Sequence, residues 1–217
     1  MSTRTAIIVT AVIILAAVAV SAYAYPLLPA RIASHWGADG QANGTMGKFW
    51  GLFLLPLIML LCAALFFVLP KVDPLKENIA LFRKYYDAFI ILLMLFFLYL
   101  HGATVAWNLG YRFNFSRILA PAFGVLWLSL GIMLPHLKRN WFIGIRTPWT
   151  LSSDRVWNAT HRLGSTLFKV SGAAALAGIF FADISIWLML VPIIVSAIVP
   201  VIYSYVLYRN EHRPTGA

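Results

Sequence analysis

The feature that most constrains this chain is a series of six apolar blocks. They run from Thr5 to Tyr25, Phe49 to Leu69, Ala88 to Leu109, Ile118 to Pro135, Gly164 to Ala182 and Ile184 to Tyr208. Each is close to the roughly 20 residues a helix needs to cross about 30 Å of hydrocarbon. Charges mark their edges: Lys48 and Lys71 bracket the second block, Asp87 and Arg112 the third, Arg117 and Lys138 the fourth. Lipid offers no water to backbone N–H and C=O groups, so such blocks fold as helices. Pro56, Pro121, Pro192 and Pro200 fall inside them and are expected as tolerated kinks. The composition agrees, with 61% of residues hydrophobic and 11% charged. A water-soluble domain sits nearer half apolar and a quarter charged. The expected fold class is all-α integral membrane, a six-helix transmembrane bundle.

The first block needs a separate reading. Arg4, the apolar run and the Ala22-x-Ala24 pattern resemble a secretory signal with its cleavage site. The apolar run is longer than a signal core, which favours an uncleaved helix. Lysine and arginine then set orientation. With the N-terminus inside, the inner segments carry twelve cations: Arg4, Lys71, Lys76, Arg83, Lys84, Lys138, Arg139, Arg146, Arg155, Arg162, Arg209 and Arg213. The outer segments carry four: Arg31, Lys48, Arg112 and Arg117. Both termini are therefore expected in the cytoplasm of a multi-pass cell-membrane protein. The net charge of +10 suits basic loops against anionic lipid headgroups, with no direct nucleic-acid partner. Cys62 is the lone cysteine, so no intramolecular disulfide forms. His35 falls outside, His136 and His161 inside, and His212 in the tail, so no metal site is expected, and no cofactor. Residues 1–70 read as an N-terminal module of two helices and an outer loop. Residues 71–217 read as a four-helix region carrying a cytoplasmic loop at 138–162.

That loop stands apart. In "NWFIGIRTPWTLSSDRVWNATHR", three arginines, three tryptophans and a histidine face one carboxylate, Asp154. Thr147-Pro148 reads as an extended or turn dipeptide. Ser152 or Ser153 is a good N-cap for a helix starting near Asp154. If that helix continues into the fifth block, Arg155, Arg162 and Lys169 share one face at sevenfold spacing. Trp157, His161, Gly164 and Phe168 share the other. Two readings follow. The arginines grip lipid phosphates and fix topology, or Arg146, Arg155 and Arg162 form a docking face for an anionic ligand or acidic partner. Lys169, about five residues into the block, is expected to snorkel to the interface.

The loop from Leu28 to Lys48 reads as a small ordered element. "RIASHW" alternates, and Asp39-Gly40 and Asn43-Gly44 suggest a short hairpin or two tight turns. It serves either to recognise an extracellular peptide or to cap the bundle. His101, inside the third block, is an intramembrane ionisable group and so a functional hypothesis by default. The alternative is a neutral imidazole bonded to a neighbouring hydroxyl or carbonyl. Ser171, Gly172, Ala174, Ala175 and Gly178 give the fifth block a small-residue face, suited to close packing within the chain or in a dimer.

The pattern Asn140, Gly144-Ile145-Arg146-Thr147-Pro148-Trp149-Thr150-Leu151, Trp157 and Thr160-His161-Arg162 closely resembles the signature of the SdpI-like membrane proteins. These are the immunity family of the bacterial sporulation-delaying toxin system. The outer loop is similar to the family's N-terminal module, through Leu28-Pro29, His35-Trp36, Gly40 and Gly47-Lys48. It departs from that pattern in having Gly37 after the aromatic residue and no proline in the turn. The resemblance implies a site made of Asn140, Gly144, Arg146, Thr147, Pro148, Trp149, Thr150, Arg155, Trp157, His161 and Arg162, with Pro29, His35, Trp36, Gly40 and Lys48 on the outer loop. It also implies protection from a secreted peptide toxin. Signalling by holding a small winged-helix repressor at the membrane is a further implication. Membrane lipids complete the expected partners.

Three rivals stand beside this reading. A small-molecule or lipid transporter would usually carry carboxylates within its spans and an internal repeat, and neither is evident. An enzyme acting on lipid phosphates would need a nucleophilic histidine with an acidic partner, and His161 has only Asp154, seven residues away. A membrane signalling receptor without immunity function is not separable by sequence.

Overall fold

The computed structural model describes residues 2–212. Arg213, counted above among the inner cations, lies outside the described residues. The elements in order are α1 (Thr3–Ala24), β1 (Arg31–Trp36), β2 (Ala42–Gly47), α2 (Lys48–Val72), α3 (Lys76–Leu81), α4 (Arg83–Asn108), α5 (Phe115–Met133), α6 (Pro148–Ser152), α7 (Asp154–Ala177) and α8 (Ser185–Glu211). The protein is an all-α membrane protein with one small hairpin. Among the described residues five helices, α1, α2, α4, α5 and α8, are long and apolar enough to cross a membrane. The fifth apolar block lies within α7. That helix is diluted by Asp154, Arg155, His161, Arg162 and Lys169, and it is not among the five. It is nonetheless 24 residues long and lies antiparallel along α5. Trp157 Nε1, near its start, donates to the Leu137 carbonyl just past the end of α5. At its other end, Arg117 Nε, at the start of α5, donates to the Ile179 carbonyl.

The bundle has two faces. On one, the α1 start meets the α4 start: the fully buried Asp87 carboxylate accepts from Thr3 Oγ1 at 2.8 Å and pairs with Arg83 at 2.8 Å. The end of α8 arrives there too, with Ser153 Oγ donating to Glu211 at 2.9 Å. Both described ends of the chain therefore share one face. The opposite face carries the hairpin. β1 and β2 pair antiparallel, and the turn between them holds Gly40 at φ +74°. Asn43-Gly44 lies within β2 and makes no second turn, because a register irregularity sets His35 opposite Gly44. Asn108 clamps Ala33, accepting its N–H at 2.8 Å and donating to its carbonyl at 3.0 Å. Asn114 Nδ2 donates to the Asp39 carbonyl, and Phe115 N–H to that of Gly40. Trp36 stacks on Phe115 at 3.9 Å and meets the edge of Trp107.

Between the faces, buried polar groups are few. His101, 1% exposed, hydrogen-bonds through Nε2 to Ser21 Oγ at 2.9 Å. The serine hydroxyl in turn reaches the Leu52 carbonyl at 2.7 Å. The same hydroxyl lies 3.1 Å from the Ala17 carbonyl. One histidine thus ties α1, α2 and α4, as the bonded-imidazole reading expects.

The small-residue face of α7 packs within the chain. A Cβ on Gly172 would lie 2.7 Å from the backbone nitrogen of Leu128 and 2.8 Å from the Gly124 carbonyl oxygen. Ser165 Oγ donates to the Gly131 carbonyl at 2.6 Å. On the α8 side, Ser171 and Ser196 hydroxyls meet at 2.8 Å. Close backbone approach of this kind supplies the dispersion contact that lipid cannot drive by hydrophobicity.

The α5–α7 contact yields a test. Gly172→Ala forces backbone apart and is expected to cost about 1–3 kcal/mol. Gly102→Ala on α4, where a Cβ meets nothing within 4 Å, is expected to be neutral or to stabilise by about 0.5–1 kcal/mol. Thermal unfolding of the purified protein in detergent measures both, and equal shifts would contradict the packing described.

Candidate functional site

The loop from Leu137 to Ser153 lies on the face shared by the two chain ends, between α5 and α7. Its backbone is irregular, so its polar groups need partners from outside a helix ladder. Asn140 is fully buried and supplies four contacts. Its Oδ1 accepts from the N–H groups of Phe142 (3.0 Å) and Ile143 (2.6 Å). Its Nδ2 donates to the carbonyls of Lys138 (2.9 Å) and Ile143 (3.0 Å). Every capacity of the amide within reach of the loop is used, which makes Asn140 the template of this turn.

Gly144 follows at φ +110°, a conformation side-chain-bearing residues rarely adopt. A Cβ there would also sit 2.5 Å from His161 Nε2. The imidazole is 1% exposed and both its nitrogens are engaged. Nδ1 donates to the Trp157 carbonyl at 2.8 Å, and Nε2 accepts from Ile145 N–H at 3.1 Å. The pattern fixes the Nδ1–H tautomer. The ring stacks on Trp157 at 4.1 Å between centroids. Burial pushes the His161 pKa down to about 4, so the ring is neutral.

The next turn is held by a capping box. Thr147 is extended at φ −128°, ψ 162°, as a residue before proline should be. Its hydroxyl accepts from Thr150 N–H, and the Thr150 hydroxyl accepts from Thr147 N–H. Pro148 takes the first helical position of α6, where no N–H is needed. Thr147 Oγ1 also meets Ser204 Oγ of α8 at 3.1 Å, and Trp149 packs on Tyr205 at 5.0 Å. Ser153 then caps α7, accepting from Val156 N–H at 3.3 Å.

Three residues anchor the loop: Asp73 and Asn78, which the sequence does not single out, and Arg139, counted above only as an inner cation. Buried Asp73 accepts from Leu75 N–H at 2.7 Å and from Trp141 N–H at 2.9 Å. Asn78 donates to the Arg139 carbonyl at 2.8 Å. Arg139 donates to the Leu151 carbonyl at 2.8 Å and lies 3.0 Å from Asp154 as an ion pair. The Asp73-Pro74 step was the available signal, since an Asx turn is the ordinary use of aspartate there.

The signature residues thus divide. Asn140, Thr147, Thr150, Trp157 and His161 are buried and shape the loop. Arg146, Pro148, Arg155 and Arg162 are exposed, and Trp149 is half-buried. Arg146 donates to the Trp141 carbonyl at 2.6 Å and lines an open groove with Trp141, Pro148 and Leu151. Arg155 and Arg162 line a separate groove between α7 and α8. On α7, Arg155, Arg162 and Lys169 are all exposed, whereas Trp157, His161 and Gly164 are buried and Phe168 half-buried. This is the two-sided helix that the spacing predicts. The Lys169 stem lies across Gly131 of α5. On the opposite face, Pro29 and His35 are exposed, Gly40 is buried, and His35 Nδ1 meets Asn43 Oδ1 at 2.5 Å. Lys48 Nζ donates to the Leu28 carbonyl and lies 4.4 Å from the Tyr25 ring. Among the described residues no group of three His, Cys, Asp or Glu side chains could hold a metal.

His161 gives a pH test with a definite sign. The unfolded chain takes up a proton below about pH 6.5, whereas the folded ring resists protonation until about pH 4. Its contribution is therefore whole above pH 6.5 and is lost as the pH falls toward 4, on the order of 3 kcal/mol in all. The unfolding midpoint should fall across that window in the wild type and be flatter in His161→Phe. The same slope in both would contradict a buried neutral imidazole.

Comparison with known proteins follows the same geography. Residues 136–204, which hold the signature loop, α7 and most of α8, match the SdpI/YfhL protein family. Residues 12–60, spanning the hairpin, match a domain of unknown function, DUF1648. The chain is 27% identical over 204 residues to the protein named Immunity protein SdpI of Bacillus subtilis (strain 168), covering 94% of this chain and 96% of that one. No solved structure matches. Together the near end-to-end match and the family match over the signature loop make this chain similar to the SdpI/YfhL family.

Proposed function

We propose that this protein is a cell-membrane immunity protein that protects its cell from a secreted, membrane-active peptide toxin. The observation that carries this reading is the match to Immunity protein SdpI along almost the whole of both chains. The geometry supports it with two differentiated faces on one bundle. The hairpin face is a rigid cap, clamped by Asn108, Asn114 and the Trp36–Phe115 stack. In our reading it lies outside the cell, where a toxin arrives first. The signature face lies in the cytoplasm with both termini, on the strength of the twelve-to-four distribution of cations.

A second role follows in this reading. The groove beside Arg146 presents a cation, the half-exposed Trp141 and the Pro148 ring on a loop fixed from beneath. It is the docking face for a cytoplasmic partner, a small winged-helix repressor in the signalling version of the family's role. The role is not catalytic: both nitrogens of His161 are occupied, and Asp154 pairs with Arg139 rather than with the histidine. That arrangement speaks against a nucleophilic histidine in the loop.

The test is survival. A toxin-sensitive cell expressing this chain, challenged with membrane-active peptide toxins, should survive doses that kill the vector control. An Asn140→Ala variant, which removes the loop template, should lose at least part of the protection at equal membrane abundance. No protection against any peptide tried would refute the immunity reading. Full protection by Asn140→Ala would detach it from the signature loop.

A further inference from the structure

We propose that the groove between α7 and α8 is a binding site for one anionic phospholipid, whose headgroup phosphate is held by Arg155 and Arg162. The proposal is independent of the immunity reading and of the groove at Arg146. The groove has a volume of about 620 Å³ and is lined by the two guanidinium groups together with Asn158, Thr166 and Tyr203. Among the described residues no carboxylate lines it. Asp154, next to Arg155 in sequence, pairs with Arg139, and Glu211 near the end of α8 accepts from Ser153. Among the described residues neither Arg155 nor Arg162 has an ion-pair partner. Two exposed guanidinium groups with amide and hydroxyl donors beside them match the oxygens of a phosphodiester.

Position along the helix selects a lipid as the source of that phosphate. Arg162 is eight residues beyond Asp154, or about 12 Å along the helix axis. It therefore stands well below the tip of α7, on the flank of the bundle. A soluble protein meets helix ends, whereas a lipid headgroup lies against the flank. One turn deeper on each wall the surface becomes apolar. Val170 follows Thr166 by four residues and Val199 precedes Tyr203 by four, and both are exposed, at 57% and 38%. Polar donors above and apolar surface below are what an amphiphile requires. Lys169 lies seven residues past Arg162 on the same face and is exposed. Side chains on a helix tilt toward its N-terminus, so its ammonium is directed up toward the headgroup level.

The experiment uses the full chain purified in detergent and native mass spectrometry, with phosphatidylglycerol and phosphatidylcholine of identical acyl chains as probes. The expected result is preferential retention of phosphatidylglycerol by about tenfold or more. An Arg155→Gln/Arg162→Gln double variant should lose the preference. Arg155→Lys/Arg162→Lys should keep part of it, and Arg146→Gln all of it. The lysine pair guards against a folding defect, since it keeps the charges in place. Equal retention of the two lipids by the wild type would overturn the proposal. So would an unchanged preference in the glutamine double variant, or an equal loss in Arg146→Gln, which would mark a general charge effect. Displacement of the lipid by excess inorganic phosphate would reveal a free-anion site and would also overturn it.

Discussion

An irregular backbone next to a membrane has to find its hydrogen-bond partners inside the protein, and the signature loop is organised by that need. Lipid would leave its N–H and C=O groups unpaired at a cost of several kcal/mol each. Asn140, Asp73, His161 and the Thr147–Thr150 pair answer them one by one. These side chains are polar, yet they are buried for the sake of the backbone and not for chemistry. The arginines that catch the eye in the sequence are what remains on the surface once that work is done.

The same reasoning accounts for α7. Its buried edge must carry Trp157 and His161 to support the loop, then glycine and serine to let α5 and α8 close in. Its exposed edge carries Arg155, Arg162 and Lys169. A helix committed on both edges cannot also be uniformly apolar. It is held by α5 and α8, where α1 and α2 rely on their own apolarity.

Much of this was legible in the residues. Apolar blocks with charged edges predict the long helices, and the 7-residue spacing of Arg155, Arg162 and Lys169 predicts the exposed edge of α7. Ser153 as cap and Thr147 as an extended residue follow from local stereochemistry. The hairpin was legible as an element, but its single turn was not, because Asn43-Gly44 has turn chemistry and only pairing with His35 puts it in a strand. The long-range contacts of Asp73, Asn78 and Asn108 were not legible either, although the Asx turn at Asp73-Pro74 was. Each acts on backbone more than 60 residues away in sequence, and no local pattern encodes such a contact. The buried role of Trp157 was hidden for a related reason: a tryptophan beside arginines reads as an interfacial anchor, and only the fold shows its Nε1 turned inward to Leu137.

We propose that α7, although polar, runs through the membrane from the signature face to the hairpin face. Single cysteines at Ser152 and Phe180, placed at its two ends in a Cys62→Ala background, test this with a membrane-impermeant maleimide applied to intact cells and to inverted vesicles. The account predicts labelling from opposite sides, with position 152 reached only in the inverted vesicles. Labelling of both positions from one side would mean that α7 lies along the membrane surface, and the described bundle could not then be the one the cell contains.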